Sequence, residues 1–148
     1  MSEGLNVHSG HLADGCHFIS FRVFYEDTDA GGIVYHGNYF RFAERARSEL
    51  LRVIGFEQQE IKATHDVVFV MRRAEIEYFK PAVLDDVVTI QTHLQALGRS
   101  SMTMLQEVRR GEELLAAITV VLVAVSSEFK PVRIPKPIAE AFAGHLKP

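Results

Sequence analysis

Three carboxylates lie close together ahead of a glycine pair. Glu26, Asp27 and Asp29 fall within four residues. A carboxylate beside apolar walls can act as a general base or as a nucleophile. A helix is predicted to begin shortly afterwards, and the unpaired backbone N–H groups at its start, around residues 36–38, can stabilise negative charge that develops on an oxygen. Acyl transfer needs both features, so this segment indicates acyl-transfer chemistry.

Other interpretations of these residues stay open at this point. Acidic residues ahead of a helix often do no more than cap it and complement its dipole, and the spacing alone does not exclude that role. The Asp-x-Asp step is also found in calcium sites, but the twelve-residue loop with its terminal bidentate Glu is missing, so no metal site is predicted. Cys16, the only cysteine, lies outside this segment and is expected to have no base beside it, so a cysteine nucleophile is not predicted.

One long helix is predicted to position these residues. Apolar residues recur at helical spacing over residues 39–54, with charged residues between them. These apolar residues are Tyr39, Ala43, Ala46, Leu50 and Ile54. Asn38 is the expected N-cap and Gly55 the expected C′ residue. Further apolar residues widen this side of the helix beyond a narrow stripe, so we expect other elements to enclose it.

The rest of the chain has the pattern of a sheet. Alternation predicts a strand over residues 19–25, and segments rich in β-branched residues predict four more. These lie at 67–79, 87–97, 101–110 and 114–125. Short turns between the last three indicate an antiparallel meander. The strand at 114–125 is apolar on both faces and should be central or buried at an interface, and a short helix is expected at 138–146. The fold class is therefore α+β, with a sheet wrapped around one helix.

Length and composition narrow the function classes. The chain has 148 residues, which suits a flexible arm at 1–17 and a single domain at 18–148. A net charge of −3 gives no basic footprint for nucleic acid. The longest apolar run is shorter than the ~20 residues of a membrane-spanning helix, and the first residues lack a signal-peptide pattern. With a single cysteine, these features predict a cytoplasmic protein.

At this point the sequence resembles a known family. The segment Tyr25–His36, followed by Tyr39 and the Glu-Arg-Ala-Arg run at 44–47, is similar to the signature of the hot-dog-fold acyl-CoA thioesterases. The branch it resembles is the YbgC-like, Tol-Pal-associated one, related to 4-hydroxybenzoyl-CoA thioesterase. The likeness extends from about Phe21 to Ala143 and includes the run at 74–82.

The resemblance implies a fold, an activity and an assembly. It implies a long helix wrapped by an antiparallel sheet that continues across a homodimer, often within a homotetramer. It implies hydrolysis of an acyl-CoA thioester to a free carboxylate and coenzyme A, without a cofactor, because coenzyme A is part of the substrate. Acyl carrier protein thioesters are an alternative substrate. Two other functions remain open: a hot-dog hydratase or dehydratase, and an acyl-thioester-binding or scaffolding protein of envelope or lipid metabolism.

The resemblance also assigns roles to residues. Asp29 is expected to be the catalytic carboxylate, as a nucleophile or as a general base that activates water. The backbone N–H of His36 is expected to polarise the thioester carbonyl, with its side chain also involved, and Tyr35 and Gly37 are expected to contact substrate.

Basic residues later in the chain have two interpretations. Their charge and geometry suit contact with the phosphates of coenzyme A. Solvated surface residues are the alternative. The predicted phosphate-binding residues are Arg72, Arg73, Lys130 and Arg133.

Overall fold

Six strands form one antiparallel sheet in the computed structural model, which describes residues 7–147. The strands are β1 (His11–Ala13), β2 (Cys16–Arg22), β3 (Val68–Tyr78), β4 (Val87–Leu97), β5 (Ser101–Arg110) and β6 (Glu113–Val125). Their order across the sheet is β1-β2-β4-β5-β6-β3. The helices in this part of the chain are α1 (Asn38–Val53), α2 (Gln58–His65) and α3 (Lys136–His145). The predicted α+β class is confirmed, with α1 packed on one face of the sheet.

Helix α1 lies close against the sheet because small residues face it. Ala43 and Ala46 are fully buried, as is Leu50 in the following turn. The side chain of Gln106 on β5 donates a hydrogen bond to the Ala43 carbonyl (2.9 Å) and accepts one from Arg47 (2.9 Å). Every residue predicted for the apolar side of the helix is buried, so the predicted orientation is confirmed.

The ends of α1 differ in part from the prediction. Gly37 is the N-cap, and no side chain caps the helix there. Asn38 was the wrong choice, because it is the first helical residue and its side chain donates instead to the Asp27 carbonyl (2.8 Å). At the other end the prediction holds, since Gly55 follows the C-cap with φ = +105°, a conformation that glycine adopts without strain.

The predicted meander is confirmed over β4, β5 and β6. These strands pair in sequence order, and β6 lies between β5 and β3. The turn between β4 and β5 is closed by the Gly98 N–H, which donates to the Ser101 carbonyl (2.7 Å). Gly111 takes φ = +62° in the turn between β5 and β6. The apolar residues of β6 therefore occupy an internal position of the sheet, as their two-sided pattern indicates.

Two expectations about local structure are wrong, and one helix was not predicted. The arm predicted at 1–17 includes β1 and the start of β2, where His17 is fully buried; residues 1–6 lie outside the described part. The strand predicted at 19–25 begins and ends earlier, and Tyr25 starts a 3-10 turn with 81% of its surface exposed. Helix α2 was not predicted, because Ile61 is its only buried residue and a single contact creates no periodicity.

Strand β3 forms one edge of the sheet. Its two ends are far apart, since eleven residues of antiparallel strand span about 34 Å. Val68 at one end pairs with Val125, and Tyr78 at the other end pairs with Ala116. Met71 and Tyr78 are 43% and 47% exposed. In the described part of a single chain, this edge is therefore long, partly apolar and without a pairing strand.

None of the helices formed by residues 7–147 has the length and hydropathy needed to cross a membrane.

Candidate active site

The loop between β2 and α1 begins with a 3-10 turn that Asp27 stabilises. The Asp27 carboxylate accepts a hydrogen bond from the Phe24 N–H (2.8 Å). Its backbone carbonyl accepts two more, from the Tyr35 N–H (2.9 Å) and from the Asn38 side chain (2.8 Å). Asp27 therefore caps the 3-10 turn rather than helix α1, which has no side-chain cap, and it joins both ends of the loop.

Asp29 lies in a second tight turn two residues later. Its Oδ1 accepts a hydrogen bond from the Gly31 N–H (2.8 Å), and its backbone carbonyl accepts one from the Gly32 N–H (3.1 Å). Gly32 has φ = +80°, so the turn requires a residue that tolerates the left-handed region. A Cβ on Gly31 would lie 3.2 Å from Asp29 Oδ1. The two glycines thus hold the carboxylate in place through backbone contacts, and its surface stays exposed.

Free backbone donors lie at the start of α1. Within residues 7–147, the N–H groups of His36 and Gly37 have no hydrogen-bond acceptor. The helix start also has no acidic side chain in its first turn. The ring of Tyr35 packs on the imidazole of His36 with a centroid distance of 4.3 Å. Unpaired N–H groups at a helix start attract negative charge on a ligand oxygen.

One open pocket of about 330 Å³ brings these features together. Both Asp29 and His36 line it, so the two predicted catalytic residues are close in space. The other lining residues come from the loop, from the first turn of α1 and from the segment that follows β3. They are Ile33, Val34, Tyr39, Tyr78, Phe79, Lys80 and Pro81. The pocket therefore offers a carboxylate, a residue with a free N–H at the helix start and apolar walls, as hydrolysis of a bound acyl group requires. Tyr35 and Gly37, the predicted substrate contacts, adjoin His36 but are not among the lining residues.

The comparisons with known proteins decide the family. Residues 31–117 match the model of the thioesterase superfamily. The chain is 44% identical to the acyl-CoA thioester hydrolase YbgC of Escherichia coli O6:H1, over 82% of this chain and 91% of that protein. It is 39% identical to the acyl-CoA thioesterase YbgC of Haemophilus influenzae, over 85% and 93% of the two chains. This chain belongs to the thioesterase superfamily.

A solved structure supports the same assignment. The crystal structure of a probable thioesterase from Bartonella henselae superimposes with a TM-score of 0.78 and 36% identity, covering 81% of this chain and 99% of that one. The hot-dog fold expected from the resemblance is thus confirmed for this thioesterase, as is its similarity to the YbgC proteins.

The predicted phosphate-binding residues of the thioesterase lie away from the pocket. Arg72 is at a β-bulge in β3, and Arg73 beside it forms an ion pair with Glu75. Lys130 and Arg133 follow β6, near the end of β3 opposite to Tyr78, because Pro131 bridges to Val125. All four predicted residues are exposed. Within one chain, the structure does not bring them to Asp29 and His36.

The expectation that Cys16 has no adjacent base is wrong. Its sulfur lies 3.2 Å from Nδ1 of His93 on β4, and Nε2 of that histidine lies 2.8 Å from the Glu107 carboxylate. Because 77 residues separate Cys16 from His93, no local spacing could indicate this pairing. The cysteine is buried and is not among the residues that line the Asp29 pocket.

Three aromatic residues of the pocket, Tyr39, Tyr78 and Phe79, were not predicted as part of the site. Tyr39 is predicted as a core residue of α1 and lies in the family signature, whereas Tyr78 and Phe79 are predicted only as part of a strand. The hydroxyl of Tyr78 donates a hydrogen bond to the His36 carbonyl (2.8 Å). The one available signal was the run at 74–82 within the family resemblance, which marks a shared segment without indicating what its side chains contact.

No group of three or more His, Cys, Asp and Glu side chains within the described range has the geometry to hold a metal ion.

Proposed function

We propose that this protein hydrolyses acyl-CoA thioesters to a free carboxylate and coenzyme A, with Asp29 as the catalytic carboxylate. The observation that carries the proposal is the pocket in which Asp29 faces the uncapped start of α1, in a chain 44% identical to a protein named acyl-CoA thioester hydrolase. Asp29 is held by backbone hydrogen bonds rather than by an ion pair, so its charge stays available to a substrate.

The thioester carbonyl binds at the helix start in this proposal. Its oxygen accepts a hydrogen bond from the His36 N–H, which stabilises the negative charge that grows as the carbon becomes tetrahedral. Asp29 then either attacks the carbonyl carbon to form a mixed anhydride or takes a proton from an attacking water. In both routes the C–S bond breaks and the thiolate of coenzyme A leaves and takes up a proton. On the anhydride route, a water molecule then hydrolyses the mixed anhydride, which releases the free carboxylate and restores Asp29. No metal or prosthetic group takes part.

We further propose that the site is completed by a second copy of the chain. Antiparallel pairing of two β3 edges around a two-fold axis continues the sheet, and it brings the Val68 end of one strand beside the Tyr78 end of the other. The predicted phosphate-binding residues Lys130 and Arg133 of one subunit, which follow β6 near the Val68 end, then lie on the side of its partner's Asp29 pocket. This arrangement accounts for basic residues that lie far from Asp29 within one chain.

A thiol-release assay tests the proposed activity. The purified chain is mixed with a panel of acyl-CoA thioesters that differ in chain length and include an aromatic acyl group, together with the matching acyl carrier protein thioesters. We expect free thiol to appear with at least one member and to stop in the Asp29→Asn variant. Hydration of an enoyl thioester without thiol release would favour the hydratase alternative, and binding without turnover would favour the scaffolding alternative.

We also propose a cytoplasmic location, which a single free cysteine suits.

A further inference from the structure

The hydroxyl of Tyr78 holds the backbone at the start of α1. Its oxygen lies 2.8 Å from the His36 carbonyl oxygen, to which it donates a hydrogen bond. The helix does not use that carbonyl, because the Phe40 N–H, which comes four residues later, donates to Gly37 instead (3.2 Å). Tyr78 therefore supplies the hydrogen bond that the His36 carbonyl lacks within the helix, from a strand 42 residues further along the chain.

This hydrogen bond also fixes the direction of a free N–H group. The His36 carbonyl and the Gly37 N–H belong to the same peptide unit, which is planar with its two groups pointing in opposite directions. Anchoring the carbonyl oxygen therefore fixes where the Gly37 N–H points. A hydrogen bond accepted by the carbonyl also polarises the peptide, so its N–H becomes a stronger donor. Within the described residues, the Gly37 N–H has no hydrogen-bond acceptor.

The Tyr78 ring is itself held firmly enough to act as an anchor. It packs edge-on against Tyr39 with a centroid distance of 5.4 Å and an interplanar angle of 76°. The Tyr39 hydroxyl in turn accepts a hydrogen bond from the Ala82 N–H (3.1 Å), and Tyr78 pairs with Ala116 in the sheet. Burial raises the pKa of Tyr78, and the neighbouring Tyr39 and Tyr35 raise it further, so the hydroxyl keeps its proton at neutral pH.

We propose that Tyr78 is a positioning residue for hydrolysis: its hydroxyl holds and polarises the His36–Gly37 peptide, so that the Gly37 N–H joins the His36 N–H as a donor to the thioester oxygen. This inference rests on the proposed thioesterase function and adds a second donor and its anchor to the site. Because the donors are needed most when the oxygen carries negative charge, the contribution of Tyr78 belongs to the transition state.

The test uses Tyr78→Phe, which keeps the ring and removes only the hydroxyl. The control is Ser20→Ala, which removes another hydroxyl with a hydrogen bond of the same 2.8 Å length, to Thr89 on β4. Ser20 is exposed and lies on the sheet face opposite to the buried Ile19. Melting temperatures and circular dichroism of both variants verify that the fold is intact.

The first measurement does not depend on turnover. In the full-length protein labelled with nitrogen-15, we expect Tyr78→Phe to shift the amide resonance of Gly37 and to leave that of Gly111, in the turn between β5 and β6, in place. Ser20→Ala should move neither resonance. An unchanged Gly37 resonance in Tyr78→Phe would overturn the proposed anchoring.

The second measurement separates positioning from binding. We expect kcat of Tyr78→Phe to fall about tenfold with little change in KM, less than the roughly 10²-fold loss that follows removal of a whole oxyanion donor. Binding of a thioether analogue of the acyl-CoA substrate, which cannot be hydrolysed, should be unchanged. A raised KM with normal kcat, or normal values of both, would overturn the positioning role. If the wild-type protein releases no thiol from any acyl-CoA, the proposed function fails, and the Gly37 resonance alone decides the anchoring.

Discussion

At the scale of single residues, the structure gives the three acidic side chains of the loop different environments. The Asp27 carboxylate holds the 3-10 turn through the Phe24 N–H, whereas Asp29 lines the pocket. We expect Asp29→Asn to lower the rate of thiol release by at least ~10², the lower end of what a positioned base contributes. The amide keeps the shape and can still accept from the Gly31 N–H, so melting temperature should stay close to that of the wild-type protein.

The neighbouring carboxylates provide the controls for Asp29. Glu26→Gln should leave turnover near normal, because Glu26 is exposed and does not line the pocket. Asp27→Asn should change both kcat and stability only slightly, because the amide oxygen can still accept from the Phe24 N–H and Asn caps about as well as Asp. Full activity in Asp29→Asn together with an inactive, folded Asp27→Asn would move the catalytic role to Asp27.

A buried histidine makes the stability of the domain depend on pH. His17 is fully buried, with its Nε2 2.7 Å from the Ser9 carbonyl, and its Nδ1 has no partner among residues 7–147. Burial lowers the pKa of His17 below its ordinary 6.5, although the contact with the Ser9 carbonyl opposes this. The unfolded chain therefore takes up a proton more readily than the folded one, and stability should decrease as pH falls below about 6.5.

Thermal melting at several pH values tests this expectation. The melting temperature of the wild-type protein should decrease between pH 7.5 and pH 5.5 by more than that of His17→Gln, which cannot titrate at this position. His145→Gln, altered at an exposed position near the end of α3, should behave as the wild type does. Equal pH dependence in the wild type and His17→Gln would mean that groups other than His17 cause the decrease in melting temperature at low pH.

At the scale of elements, α1 is the part of the structure on which the site depends most directly. Leu50 is fully buried between the helix and the sheet. We expect Leu50→Ala to lower the free energy of unfolding by about 2–5 kcal/mol, through lost burial and the cavity that remains. Val87→Ala, at a position 43% exposed on β4, should change it by no more than about 0.5 kcal/mol. Urea denaturation measures both, and a loss for Leu50→Ala below 1 kcal/mol would contradict this packing.

Elements with a strong periodic pattern could be predicted from the sequence. The long helix and the strands of the meander agree with the structure to within about one residue at each end, because many buried side chains repeat at a fixed spacing. Helix α2 has one buried residue and left no pattern. The start of β2 was missed because a buried histidine interrupts its apolar alternation.

The residues of the candidate site also differ in whether the sequence could predict them. Asp29 and His36 lie seven residues apart on one loop, so a local motif could mark both of them. The contact between Tyr78 and His36 joins residues that are 42 positions apart, and it depends on how β3 ends beside α1. A side chain that acts through a distant contact of this kind cannot be predicted from spacing along the chain.

At the scale of the whole molecule, the exposed edge of β3 indicates self-association. The strand is eleven residues long and forms an edge of the sheet, and Met71 on it is 43% exposed. Long edges of this kind favour pairing with another strand. Light scattering at micromolar concentration should give at least twice the 16.6 kDa of one chain. A monomer would exclude both the continuous sheet and a site shared between subunits.

Subunit mixing tests whether the partner contributes to the site. Arg133→Ala should raise KM more than it lowers kcat, because phosphate contacts bind ground state and transition state equally. Asp29→Asn should be almost inactive.

If Arg133 of one subunit serves the pocket of its partner, a mixed dimer of the two variants contains one pocket with both Asp29 and Arg133 intact. Unfolding the variants together and refolding them should then restore a component with the wild-type KM. If each chain serves its own pocket, every pocket in the mixed dimer carries one defect. The mixture would then show only the raised KM of Arg133→Ala.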